Sequence, residues 1–310
     1  MGKRNNGEAK QANKERQAAA AKEQQEALEA QIAQLQIGDE STDVDLVRYC
    51  SDACQKEHIP QHNEACKKRA AELHDEILFQ QPESSHLGDC PICCLPLPFR
   101  GNRPKSTMMA CCSKVVCRGC FYANMIRDIQ GKRHPKCPFC RKPTVATDEQ
   151  CDKQNMRRVE ANDPAAMFLK GVEQYDKGDY SSAFEYYAKA AQLGDVEAHY
   201  NLSCLYRNGH GVEKDKQKEM YHLEEAAIKG HPDARFNLGW NEWTNGNTER
   251  AVKHWIIAAN QGDNGSIKAL MKIFKEGFVS KDVLAAALRA HQAAADATKS
   301  PQRDAAEEYF

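Results

Sequence analysis

Ala198-His-Tyr-Asn-Leu202-Ser-Cys-Leu-Tyr206-Arg-Asn-Gly209-His-Gly211-Val212, running on through Asp215 and Lys218 to Ala226-Ala227-Ile-Lys-Gly230, is the stretch on which the fold class turns. Small or apolar side chains stand at 198, 202 and 206, one face of a helix, and Gly209 and Gly211 end the run. A second helical run then closes on paired alanines and a glycine. The same closing pattern recurs at Ala190-Ala191-Gln-Leu-Gly194 and Ala258-Ala259-Asn-Gln-Gly262, so the three glycines fall 36 and 32 positions apart. Periods of that length mean stacked helix pairs. Paired alanines let helices approach closely, and a glycine fits a left-handed cap at a helix end. Upstream, Tyr180, Ala183, Phe184, Tyr187 and Ala191 make an apolar stripe at helical spacing. The expected fold is mainly α, with a helical superhelix over residues 160–297.

The unit resembles a Sel1 repeat, a relative of the tetratricopeptide repeat. The best copy is the stretch quoted above. A second begins Ala234-x3-Leu238-Gly239 and continues to Gly246, Ala251 and Trp255. Weaker copies near 164–197 and 266–297 fit the role of capping repeats. The resemblance implies a concave groove suited to a protein or peptide. His199, His210, His222, His231 and His254 keep no metal-ligand spacing, and no nucleophile elbow, phosphate loop or carboxylate pair marks this half as an enzyme.

Away from the repeats, cysteine dominates. The chain has 310 residues and 14 cysteines, twelve of them between Cys50 and Cys140. Its start, Met1-Gly-Lys-Arg-Asn-Asn6, has no apolar segment of the secretory kind, and Asn6 stands where a myristoylation signal needs Ser or Thr. The expected location is therefore intracellular, cytoplasmic or nuclear. There disulfides rarely persist, and paired cysteines are more often metal ligands.

Residues 84–145 carry Cys90-x2-Cys93, Cys117-x2-Cys120 and Cys137-x2-Cys140, with Cys111-Cys112 between the first and second pairs. A Cys-x2-Cys turn places two thiolates on one tetrahedral metal, so each is a half-site, and this array needs two Zn²⁺. The residues Cys90-Pro-Ile-Cys93, Cys112-x4-Cys117-Arg-Gly-Cys120 and Cys137-Pro-Phe-Cys140-Arg141 resemble a RING finger. RING fingers are cross-braced, so the resemblance implies one zinc on Cys90, Cys93, Cys117 and Cys120 and a second on Cys111, Cys112, Cys137 and Cys140. Lys114 stands where the family usually has a His ligand, and an ammonium cannot ligate. The all-cysteine variety therefore fits better, and it leaves Cys94 spare.

That resemblance implies a non-covalent ligase, which presents a ubiquitin-loaded conjugating enzyme to a lysine by positioning alone. Ile92 and Pro138 occupy the family's enzyme-contact places. Arg141 occupies that of the basic residue bridging enzyme and ubiquitin, where a rigid guanidinium fork can bond two acceptors. The central aromatic of the family falls to Phe121 or Tyr122. Each also has a plainer role: Ile92 packing the zinc knuckle, Pro138 shaping a turn, Arg141 a solvated charge.

Tyr49-Cys50-x3-Cys54-Gln55-x6-His62-x3-Cys66 resembles the C-terminal half of a MYND zinc finger. The two earlier Cys-x-x-Cys pairs of that finger are absent before Cys50, and Ile59 replaces the usual Trp. Three readings stay open: one rearranged zinc on Cys50, Cys54, His62 and Cys66, a degenerate remnant, or a chain lacking its true N-terminus.

The remaining segments complete the expected organisation. Residues 1–45 form a Gln-, Ala-, Glu- and Lys-rich arm, helical or disordered. Residues 46–81 hold the partial MYND-like segment and a short helix over 67–80 with Leu73, Ile77 and Leu78, and 298–310 are a tail. Lys plus Arg number 43 and Asp plus Glu 44, a balance that attracts neither anionic membrane nor nucleic acid. The basic run from Lys114 to Lys142 lacks the aromatic interleaving of a nucleic-acid face. No apolar run approaches the roughly 20 residues of a membrane span. The favoured function is a RING-type E3 ubiquitin ligase, whose partners are a conjugating enzyme, ubiquitin and a protein substrate or adaptor on the repeats. The alternative is a non-catalytic scaffold for protein-protein interactions.

Overall fold

The computed structural model describes residues 60–98, 105–144 and 147–309. The chain divides into two compact units, 1–76 and 77–310. The described part of the first is most of helix α1 (Pro60–Leu78), which begins well before the expected residue 67. Cys50 and Cys54 lie outside the described residues, as do the side chains of His62 and Cys66.

In the second unit a finger comes first. Strands β1 (Ser106–Met108) and β2 (Val115–Cys117) pair antiparallel, with Thr107 opposite Val116, and helix α2 (Arg118–Gln130) follows directly. Among the described residues, Leu97, Met109 and Val116 are the buried apolar side chains that join the cysteines in the finger's core, with Leu87, Val115 and Phe121 partly buried against them. So few apolar side chains cannot stabilise such a fold alone, which is the usual situation of a metal-held finger.

Helix α3 (Asp148–Glu160) leads into four helix pairs: α4 (Pro164–Asp176) with α5 (Tyr180–Gln192), α6 (Val196–Asn208) with α7 (Lys216–Ile228), α8 (Pro232–Thr244) with α9 (Thr248–Asn260), and α10 (Asn264–Lys275) with α11 (Lys281–Ala297). The expected superhelix is present. The three joints between successive pairs share one construction: a glycine with positive φ ends a helix and the next residue caps its successor. Gly194 has φ 88° and Asp195 accepts from Ala198 N; Gly262 has φ 88° and Asp263 accepts from Ser266 N. The glycine satisfies the orphan carbonyls of one helix while the aspartate satisfies the orphan amides of the next. Alanines 190, 226, 227, 234, 251, 258 and 259 are buried where helices meet, and Trp255, Leu202, Leu223, Leu238 and Leu270 fill the space between them.

The segment expected as a tail differs. Residues Pro301–Tyr309 form helix α12, packed along α2 of the finger. Pro301 suits a first helical turn, where its missing amide would have no partner, and Ser300 Oγ accepts from Arg303 N at 3.3 Å. Among the described residues no helix is long and apolar enough to cross a membrane.

Candidate metal centre

Two knuckles of like construction frame the finger. In each, a residue with positive φ follows the second cysteine (Cys94, φ 54°, and Arg141, φ 65°), and the strands beside it bridge at Asp89–Pro96 and Lys136–Pro143. Backbone amides point at sulfur: the second knuckle's turn brings Cys140 N within 3.4 Å of Cys137 Sγ, and the end of β2 brings Cys117 N within 3.4 Å of Cys90 Sγ. Such bonds stabilise thiolate over thiol.

Eight sulfurs converge in two quartets, Cys90/Cys93/Cys117/Cys120 and Cys111/Cys112/Cys137/Cys140, each with its sulfurs within 4.8 Å of one another. Cys93 and Cys117 sulfurs are 3.7 Å apart, Cys112 and Cys137 3.8 Å, and Cys111 and Cys140 3.3 Å. A tetrahedron with metal–sulfur bonds of about 2.3 Å has edges of about 3.8 Å, so both quartets fit a zinc ion. The adjacent pair Cys111-Cys112 reaches one centre because the turn between β1 and β2 curls back on itself, with Ser113 at φ 51° and both Cys112 N and Ser113 N donating to Met109 O. Cys94 is exposed and belongs to neither quartet.

The thiols are unequal. Burial opposes ionisation of Cys93, yet hydrogen bonds from Leu95 N and Arg303 draw it down to about 7. Burial pushes Cys120 and Cys111 well up. A divalent ion removes the difference, because a coordinated thiol gives up its proton outright.

Beside the quartets, a cavity of about 280 Å³ is lined by Ile92, Pro138 and Arg141 together with Ala123, Asn124, Arg127 and Gln302. The three residues singled out in sequence thus face one space. Ile92 is 43% exposed, high for an isoleucine and more than a knuckle-packing role needs. Asn124 bonds Lys136 O at 2.8 Å, and buried Asp128 accepts from Lys136 N at 3.2 Å, so α2 holds the second knuckle in place beneath this wall. Phe121 packs in the finger core, while Tyr122 meets Tyr309 of α12 at 4.7 Å between rings.

The finger is stitched to the superhelix at three points that sequence spacing did not reveal. Arg158 of α3 donates to Ser113 Oγ at 2.6 Å and to Cys111 O at 3.5 Å, and it pairs with Asp163. Arg303 of α12 donates to Pro96 O at 2.8 Å, Leu95 O at 3.2 Å and Cys93 Sγ at 3.5 Å. The third is the linker before the first knuckle. His86 N donates to Gly230 O, and His86 Nε2 lies 3.0 Å from Glu197 Oε1. His231 Nε2 lies 3.6 Å from the other oxygen of Glu197. These three donors could hold a metal by proximity. However, the two imidazoles are stacked with 5° between their planes. Parallel rings cannot both direct in-plane lone pairs at one ion lying between them, so the trio is a carboxylate clamp that seats the linker on α6 and α8. His86 lies 111 residues before Glu197 in sequence, which is why no motif shows the clamp.

Comparison with known proteins bears on the two ends of this arrangement. Residues 45–66 match the model for the MYND finger, and 165–195, 196–231 and 232–263 match the Sel1 repeat. The first match implies zinc binding, and the second confirms the repeats. The RING reading of residues 84–145 draws no support from these matches. Among curated proteins, the chain is 35% identical over 86 residues to chitin synthase regulatory factor 4 of Schizosaccharomyces pombe, covering 27% of this chain and 14% of that protein. It is 26% identical over 174 residues to DAP3-binding cell death enhancer 1 of Mus musculus, covering 43% and 34% respectively. The chain thus spans about a third or less of these relatives. A Sel1 repeat protein from Oxalobacter formigenes aligns with TM-score 0.42 and 23% identity over 55% of this chain and 52% of that one.

Proposed function

We propose that this chain is a protein-interaction scaffold in which a zinc finger and a Sel1 repeat stack each present a docking surface. The observation that carries this reading is the stitching of finger to stack by Arg158, Arg303 and the His86–Glu197–His231 clamp. Those contacts hold two surfaces in a fixed relation, which is what a scaffold needs and a tethered finger would lack. The finger takes two zinc ions, one per quartet. The stack takes a protein segment, and exposed Trp240 and Tyr221 offer it rigid apolar anchors. A peptide-display screen on the zinc-loaded chain should return binders that Trp240→Ala or Tyr221→Ala release. A screen whose binders ignore both substitutions would contradict a docking role for these side chains.

A finer reading makes the finger a RING-type E3 ubiquitin ligase, and the shared cavity of Ile92, Pro138 and Arg141 favours it. In that reading the apolar wall holds a loop of the conjugating enzyme, and Arg141 fixes the loaded ubiquitin so that its thioester meets a lysine. No covalent step passes through the finger, so its contribution is orientation. The test is ubiquitin discharge by the full zinc-loaded chain against a panel of loaded conjugating enzymes. The ligase predicts discharge that Ile92→Ala and Arg141→Ala both abolish with zinc retained. Absence of discharge with every enzyme leaves the scaffold alone.

A further inference from the structure

We infer that helix α12, residues 301–309, is a working part of the zinc finger: Arg303 secures the first cysteine quartet, and Gln302 forms one wall of the docking cavity. The finger of residues 84–145 is incomplete without a segment more than 150 residues downstream.

Three observations carry this. First, α12 lies so close to α2 that only glycine is tolerated at 119. A Cβ there would meet Arg303 N at 2.8 Å and Arg303 Cα at 2.9 Å, both backbone atoms that cannot swing aside. Second, Arg303 is 7% exposed and spends its guanidinium on the first knuckle: Nη2 bonds Leu95 O and Cys93 Sγ, and Nη1 bonds Pro96 O and, at 2.7 Å, Thr298 O just before α12. Donors to a zinc thiolate orient the ligand and moderate its charge. Third, exposed Gln302, one residue away, lines the cavity with Ile92, Pro138 and Arg141. Ala306 is fully buried beneath the helix and the Tyr309 ring rests on Tyr122, so the placement is a packed interface along the length of α12.

The chemistry of the wall follows. Arg127 and Arg141 favour a partner loop with acidic or carbonyl acceptors, Ile92 and Ala123 favour an apolar tip, and the Gln302 amide adds a neutral donor and acceptor at the rim. Gln302 is therefore a specificity-determining residue for the occupant, which rests on the ligase reading. The role of Arg303 does not.

The experiment uses the full zinc-loaded chain and two readouts. In the first, zinc release to a chelator is followed in time, with the phase removed by Cys93→Ser marking the first quartet. Arg303→Ala should speed that phase by roughly tenfold or more, with Arg303→Lys intermediate. In the second, Gln302→Glu, whose side chain is exposed, should leave zinc release unchanged but lower discharge from conjugating enzymes by about fivefold and reorder the panel, since the new carboxylate competes for the arginines. Zinc release at the wild-type rate in Arg303→Ala overturns the inference whatever the discharge assay gives. Discharge that Ile92→Ala abolishes but Gln302→Glu leaves untouched overturns the wall role while the ligase stands. A wild-type chain inactive with every enzyme removes the ligase reading and the role of Gln302 with it, and the release rates then decide for Arg303.

Discussion

At Gly239 the Cβ of any other residue would lie 2.5 Å from Trp255 Nε1, and that indole is 1% exposed with its N–H given to Phe236 O. A buried ring bonded at its edge cannot retreat, so Gly239→Ala should destabilise the stack by about 1–3 kcal/mol, read as a lower urea midpoint with unchanged slope. Arg235, fully buried, donates both to Leu78 O and to Gln80 O, closing the end of α1. Arg235→Ala strands those carbonyls and should cost about 2 kcal/mol or more, checked the same way. Legibility at this scale was uneven. Gly239 stood inside the quoted repeat pattern and could be flagged. Arg235 could not, because its partners lie over 150 positions away. The cysteine half-sites were readable because a Cys-x2-Cys turn is a local geometry, whereas their grouping into quartets came from the family resemblance. The arginines that hold them were not, since a guanidinium bonding a distant carbonyl leaves no spacing behind.

Helix pairs were the most legible elements, because each joint writes a glycine and a capping residue into the sequence at near-regular intervals. The short helix α12 was missed: nine residues carry little periodicity, and its Ser300-Pro301 start was the one local signal. The stack also carries a pH dependence. Burial pushes His199 down to about 4, and His222 and His254 to about 3, from an ordinary 6.5. For such groups the unfolded chain binds protons more tightly than the folded one. Stability is therefore complete above about pH 6.5 and falls as pH drops toward 4, by up to roughly 1.4 kcal/mol per pH unit for each histidine. Asp195 runs the other way: burial raises it to about 6, so its contribution is present at low pH and lost as pH rises through 6. Three histidines outweigh one aspartate, and thermal melts should fall steeply below pH 6. His222→Asn should flatten that slope.

For the molecule as a whole, metal and helix packing stabilise different parts. Chelation should unfold residues 84–145 and free α12 to proteolysis while most helical circular dichroism survives, because the repeats bury their own apolar core. Loss of the full helical signal on chelation would instead make the stack depend on the finger. The attachment of that finger at Ser113, at the linker before Cys90 and along α2 has one more consequence. The span between whatever sits on Ile92 and whatever sits on Trp240 is set by covalent and packed structure, like the opening of a caliper. A single partner built to engage both of the surfaces proposed above must therefore span that fixed distance, and one whose two contact points are spaced otherwise would reach only one of them.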